Sequence, residues 1–196
     1  MSTTHLNPSH DSYTDENAPT TAQSQTSSTA KLSVGYNGRS GGGETQTWNK
    51  FDLSTLAGAT INSAIWRQRV YFPQAGDYGS QEIGAYRSTD TSWDEATITW
   101  NNAPAVGATL YSSNYMDGTP NWDWDFDVTT AVQAALASGA ISLVLKPVNT
   151  GAFSDFYQWL MQDTDYTVGP PTFPRPRLII DYTAASTFRP QVMMIM

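Results

Sequence analysis

The sequence predicts an all-β fold, a two-sheet antiparallel β-sandwich (jelly roll) with one short helix. Three observations predict it. Short runs of alternating apolar and polar residues recur along most of the 196-residue chain, which is the period of strands with one wet face. Turn residues separate these runs, and only one segment has helical spacing. The eight or so strands suit a jelly roll better than the shorter immunoglobulin pattern. A chain of this length comfortably makes one all-β domain. It is placed at residues 11–182, behind a polar leader at 1–10 and ahead of an apolar tail at 183–196.

Taken in order, residues 11–31 are rich in Ser, Thr, Ala and Gln and by themselves read as a flexible linker. Residues 31–36 alternate as a strand, a glycine-rich loop follows at 37–43, and a second strand-like run covers 45–53. No Lys-Ser or Lys-Thr pair opens a helix behind those glycines, so they do not form a phosphate cradle. Residues 60–72 are the longest strand candidate. Ala64, Trp66, Val70 and Phe72 share one face, interrupted by Gln68, while Arg67, Arg69 and Tyr71 share the other. Residues 80–87 form a shorter run around Ile83 and Ala85.

Trp93 and Trp100 then bracket Thr97, Ile98 and Thr99, a run with β-type composition. Asn101 and Asn102 can bond nearby backbone, and Pro104 ends the run. An edge strand is expected at 108–111. Strict alternation at 121–128 points Trp122, Trp124, Phe126 and Val128 one way and Asp123, Asp125 and Asp127 the other. The helix is expected at 129–137, capped by Asp127 or Thr129 and closed by Gly139. Strands at 141–146, 153–161 and 176–182 complete the sandwich.

Lysine and arginine total 10 against 18 acidic residues, a net charge of -8. That balance argues against a nucleic-acid partner, which needs a cationic surface. No apolar run approaches transmembrane length, so no membrane partner is expected. Cysteine is absent, which excludes disulfides and thiolate metal sites. The first residues lack the basic start and apolar stretch of a secretory signal, so the expectation is either a signal already removed or synthesis in the cytoplasm and exit by another route.

Several segments occur together in a recognisable order: 11–13, 32–35, 51–54, 61–64, the tryptophan-bracketed 93–104, 126–129 and 176–182. In this order the chain resembles the DNRLRE-type, disaggregatase-related jelly-roll domains from about Asp11 to Tyr182. Those domains are similar to certain carbohydrate-binding modules, including ones associated with alginate. The resemblance implies a non-catalytic surface module. It also turns residues 11–30 from a linker into irregular chain and a first strand. The family pattern does not require the tail, and such modules commonly sit beside other domains behind a secretion signal.

The only histidines, His5 and His10, lie in the leader, which disfavours a serine–histidine–acid triad or a histidine metal site in the core. Asp123, Asp125 and Asp127 share a face, either solvated or paired with Arg67, Arg69 or Lys50. Calcium is the alternative for them, and Asp11, Asp15 and Glu16 are equally eligible ligands, so no cofactor or metal site is assigned. For sugar binding, the residues selected are Arg67, Arg69 and Tyr71 on one strand face, with Trp159; stacking aromatics and orienting polar groups are what such sites need. Trp122 and Trp124 are either core residues or further stacking platforms.

The tail supplies the expected partner surface: Phe188, Arg189, Pro190, Val192, Met193, Met194, Ile195 and Met196. Apolar, methionine-rich segments of this kind mark interaction sites. The leading expectation is therefore a non-catalytic structural protein of an assembled particle, a bacteriophage virion protein decorating head or tail. It would be made in the host cytoplasm, sit on the virion surface, and contact copies of itself and a shell or neighbouring protein through the tail. The alternative is a secreted, extracellular carbohydrate-binding module that touches surface glycans.

Overall fold

The computed structural model describes residues 1–23, 31–37, 43–73, 81–116, 123–149, 156–162 and 176–185; for residues 31, 37, 70–73, 116 and 156–162 only the backbone is described. Two antiparallel layers face each other. The first contains β1 (Ser2–Leu6), β11 (Arg177–Thr183), β5 (Thr60–Pro73) and β8 (Asp123–Asp127), in that spatial order. The second is built around β4 (Glu44–Asp52), which pairs β2 (His10–Asp15) and β9 (Ala140–Pro147); β9 continues to β6 (Gln81–Ser88) and then β7 (Ser112–Met116). Strand β3 (Lys31–Asn37) meets the start of β4, and β10 (Phe156–Gln162) pairs both β3 and β5. Hydrogen bonding therefore passes from one layer to the other along one side of the sandwich. Across the opposite side the Asn114 side-chain amide donates to the Asp125 carbonyl oxygen at 2.9 Å.

Strand alternation builds the core. Trp66, Leu178, Ile180, Trp124 and Phe126 project inward from the first layer, while Phe51, Ile83, Ala85, Ile141, Leu143 and Leu145 meet them from the second. The Trp66 indole stands 6.0 Å from the Phe126 ring, centroid to centroid. Gln68 breaks the apolar face of β5, as its position predicts, and is fully buried. Buried amides need partners. Asn49 on β4 provides one, with its Oδ1 accepting from the Trp66 Nε1–H at 3.1 Å and from the Gln68 amide. Trp124 is a core residue; Trp122 lies outside the described residues.

Helix α1 (Thr129–Ala135) runs into a 3-10 turn at Leu136–Ser138. Asp127 meets the backbone N–H of Thr129 at 2.9 Å and the threonine hydroxyl at 2.7 Å, satisfying a donor that the helix itself cannot. Gly139 closes the segment at φ 71, a left-handed conformation that glycine adopts without steric cost.

Three local expectations are corrected. Residues 97–100 are not a strand: Asp94 O accepts from the amides of Thr97 (3.1 Å) and Ile98 (2.9 Å), which winds the chain into turns. The edge strand after Pro104 lies at Ser112–Met116 rather than at 108–111. Ser2–Leu6, polar and without a strand pattern, pairs with β11 from Ser2↔Tyr182 to Leu6↔Leu178. In contrast, β2 forms within the Ser/Thr-rich opening, where the resemblance implies a first strand. The tail from residue 186 onward, including Phe188 to Met196, lies outside the described residues.

Candidate functional site

The two outward faces of the sandwich differ in how their polar groups are used. On the first layer, register places Arg67 opposite Asp125 and Arg69 opposite Asp123. Asp125 receives two bonds from the Arg67 guanidinium, at 2.6 and 2.5 Å; Asp123 receives one from Arg69 at 3.0 Å. The bidentate geometry is the strong form of this contact, and the bond to Asp125 holds the Arg67 pKa above its ordinary value. Asp181 on β11 is similarly engaged, by the Thr3 hydroxyl at 2.5 Å and the Ser63 hydroxyl at 3.2 Å. Of the alternatives for the β8 aspartates, pairing with arginine describes Asp123 and Asp125, and helix entry occupies Asp127. Among the described residues, no group of three or more His, Cys, Asp or Glu is placed to hold a metal ion.

Of the residues selected from sequence for sugar binding, Arg67 and Arg69 thus share a strand face and are engaged by acidic neighbours. Tyr71 lies on β5 and Trp159 on β10, with Trp159 opposite Pro73 in the backbone register; their side chains lie outside what is described.

The outer face of the second layer is half roofed. Trp48 and Val144 project outward and are covered by Trp93 and Ile98, with Ala103 and Val106 at the margin. The two indoles meet edge-on at 6.0 Å. Trp93 Nε1–H donates to the Ser142 hydroxyl at 2.9 Å, and Lys50 Nζ donates to the Trp93 carbonyl oxygen at 2.7 Å while lying 5.0 Å from its ring. Burial pushes the Lys50 pKa down, opposed by the charges of Asp94, Glu95 and Asp90. Asn102 fastens the far end, accepting from the Thr99 amide at 2.6 Å and donating to the Thr97 carbonyl at 2.9 Å. The tryptophan-bracketed segment is therefore a roof held by Trp93; Trp100 is only half-buried.

Beyond the roof, the described residues leave part of the same face exposed. Tyr115 on β7 is 64% exposed and sits opposite Glu82 on β6. Glu82 accepts from the Ser113 hydroxyl at 2.6 Å. Lys146 on β9 places its ammonium 4.8 Å from the Tyr86 ring centroid. On β4, Gln46 donates to Glu44 at 2.7 Å, and the Glu44 backbone amide donates to Glu16 at 2.9 Å. Burial raises the Glu44 pKa, with the Gln46 bond and the Lys146 charge pulling the other way and Glu16 adding to the rise. Sequence reasoning did not select Tyr115, Glu82, Lys146, Glu44 or Gln46. The available signal was parity, since buried Ile83 and Leu145 force Glu82 and Lys146 outward.

A β-sandwich whose outer face combines an exposed ring with hydrogen-bonding side chains has the layout of a binding module. The chain belongs to carbohydrate-binding module family 96, whose family model matches residues 2–159. It is also 29% identical over 143 residues to a gellan lyase of a Bacillus species, a match that takes in 71% of this chain and 5% of that protein. The chain thus spans a small part of its curated relative. These findings overturn the virion expectation and with it the capsid-decoration and bacteriophage reading: the matched family is one of carbohydrate-binding modules, and the curated relative is a gellan lyase. They support a carbohydrate-binding module rather than the DNRLRE or disaggregatase label in particular. Self-association and a shell partner receive no support from them. Among the described residues, no helix is long and apolar enough to cross a membrane.

Proposed function

We propose that this chain is a non-catalytic module that binds an extracellular polysaccharide and holds whatever it is joined to against that polymer. The family match over residues 2–159 carries this reading. The gellan lyase likeness supports it and makes gellan the first ligand to try. The sandwich is suited to the task because a packed two-layer core presents its outer faces rigidly, so a ligand need not order the surface it binds.

The test is affinity electrophoresis of the folded protein through gels containing gellan, alginate or an uncharged β-glucan, with a non-binding protein as mobility reference. Retardation in at least one polysaccharide is expected, growing with polymer concentration to a plateau. Mobility equal to the reference in every gel would overturn the reading.

A further inference from the structure

The open half of the second layer's outer face has a composition and a placement that the first layer's face lacks. Four adjacent strands contribute to it: β4, β9, β6 and β7. At the usual strand separation this spans about 14 Å. In-register pairs set a row across it, with Gly84 opposite both Lys146 and Ser113. Gly84 has a steric reason to lack a side chain. A Cβ there would stand 2.5 Å from Leu110, 2.8 Å from Tyr86 and 3.0 Å from Val148. Leu110, itself 41% exposed, therefore lies low over the strand, between Tyr115 at one end and the Glu44–Gln46 pair at the other.

A sugar ring presents an apolar C–H face and hydroxyls that both donate and accept. An exposed tyrosine ring and a leucine suit the first; carboxylates, an amide and an ammonium suit the second. Glu82 accepts one bond from Ser113, and an ionised carboxylate has about four lone-pair sites. Charge narrows the ligand further. Among the described residues, Glu44 feels both Lys146 and Glu16, and Glu82 and Glu44 act together on Tyr86, three carboxylates and one ammonium, on a chain of net charge -8. A polyanion approaching this face meets repulsion, whereas hydroxyl groups meet acceptors. On other surfaces Arg67 and Arg69 are engaged by aspartates, and Lys50 by the Trp93 carbonyl.

We propose that the outer face of β4, β9, β6 and β7 is the glycan-binding platform, with Tyr115 stacking on a sugar ring and Glu82, Lys146 and Gln46 bonding the hydroxyls of an uncharged stretch of polysaccharide. The proposal rests on the carbohydrate-binding reading and deepens it. Its test is titration of the folded chain with gellan, an uncharged β-glucan and alginate, at low and raised salt, for the wild type and for Tyr115→Ala, Lys146→Ala and Arg67→Ala. The expected result is binding to the β-glucan or gellan that survives raised salt. Tyr115→Ala and Lys146→Ala should each weaken it about tenfold or more, with unchanged unfolding transitions, and Arg67→Ala should bind as wild type. Undiminished binding by both platform variants would remove the platform and leave the module reading intact. Binding confined to alginate, or abolished by salt, would overturn the uncharged-ligand assignment. Failure of the wild type to bind any of the three would overturn both readings.

Discussion

The first layer's outer face and the second layer's outer face both derive from strands with one polar side, yet they end in opposite states. On the first, Arg67, Arg69, Asp123, Asp125 and Asp181 are partnered within the layer. On the second, one half is roofed by the Trp93 segment and the other keeps an exposed ring and polar groups around it. The difference lies in register and parity rather than composition. Antiparallel pairing of β5 with β8 sets each arginine opposite an aspartate, so that surface meets most of its own electrostatic demand. Pairing of β6 with β9 sets Lys146 opposite a glycine, and its ammonium remains over the Tyr86 ring. Charge density alone is thus a poor guide to what a surface still offers; register decides how much of its hydrogen-bonding capacity the fold has already used.

The largest expected effect tests whether the second face is divided as described. Trp93 is 6% exposed, donates to Ser142 and meets Trp48 edge-on. Trp93→Ala removes all of these and uncovers Trp48 and Val144, so a stability loss of about 3–5 kcal/mol is expected in urea unfolding. Tyr115→Ala, on the open half, should leave the urea midpoint nearly unchanged. Similar midpoints for the two variants would erase the distinction between roof and platform.

Much of the fold was legible because strands with one wet face announce themselves by a period of two. Residues 60–72 and 121–128 predict β5 and β8 with the correct inward residues, Trp66, Trp124 and Phe126. Legibility failed where pairing or local hydrogen bonds overrode propensity. Thr97, Ile98 and Thr99 favour strand by composition, but the Asp94 carbonyl and the Asn102 side chain capture their backbone. Strand β1 has the polar sequence STTHL, so only its pairing with β11 makes it a strand. The candidate platform was harder still. Glu44, Glu82, Tyr115 and Lys146 come from four strands distant in sequence, and placing the edge strand at 108–111 instead of Ser112–Met116 left Tyr115 out of it. The arginines were legible as cations, and pairing with the β8 aspartates was one alternative; choosing it required the register.

A smaller effect probes the first face. Arg67 and Asp125 are 29% and 43% exposed at their side chains, so solvent screens the pair despite its bidentate geometry. Arg67→Ala is expected to cost no more than about 1 kcal/mol in urea unfolding. A loss of several kcal/mol would show that the pair supports the layer rather than merely occupying its surface.

The smallest effect comes from Glu44, a carboxylate on the open face whose pKa is raised. Burial lifts Glu44 above its ordinary 4.5, with partial opposition from Gln46 and Lys146. The folded state therefore holds the Glu44 proton more tightly than the unfolded chain does. Its contribution to stability is fully present below 4.5 and is lost as pH rises through the higher folded value. Glu44→Gln keeps an acceptor for Gln46 but cannot ionise, so it should raise the urea midpoint slightly at neutral pH, with the gain vanishing below 4.5. Asp52 and Asp90 have the opposite sign. Bonds from the Ser54 hydroxyl and amide lower the first, and bonds from the Ser92 amide and hydroxyl lower the second. Their contribution is present above 3.8 and lost as pH falls through the folded values. The two signals occupy separate windows, so a midpoint profile from neutral pH downward resolves them. A Glu44→Gln difference that persists unchanged below 4.5 would mean the substitution acts through packing rather than charge.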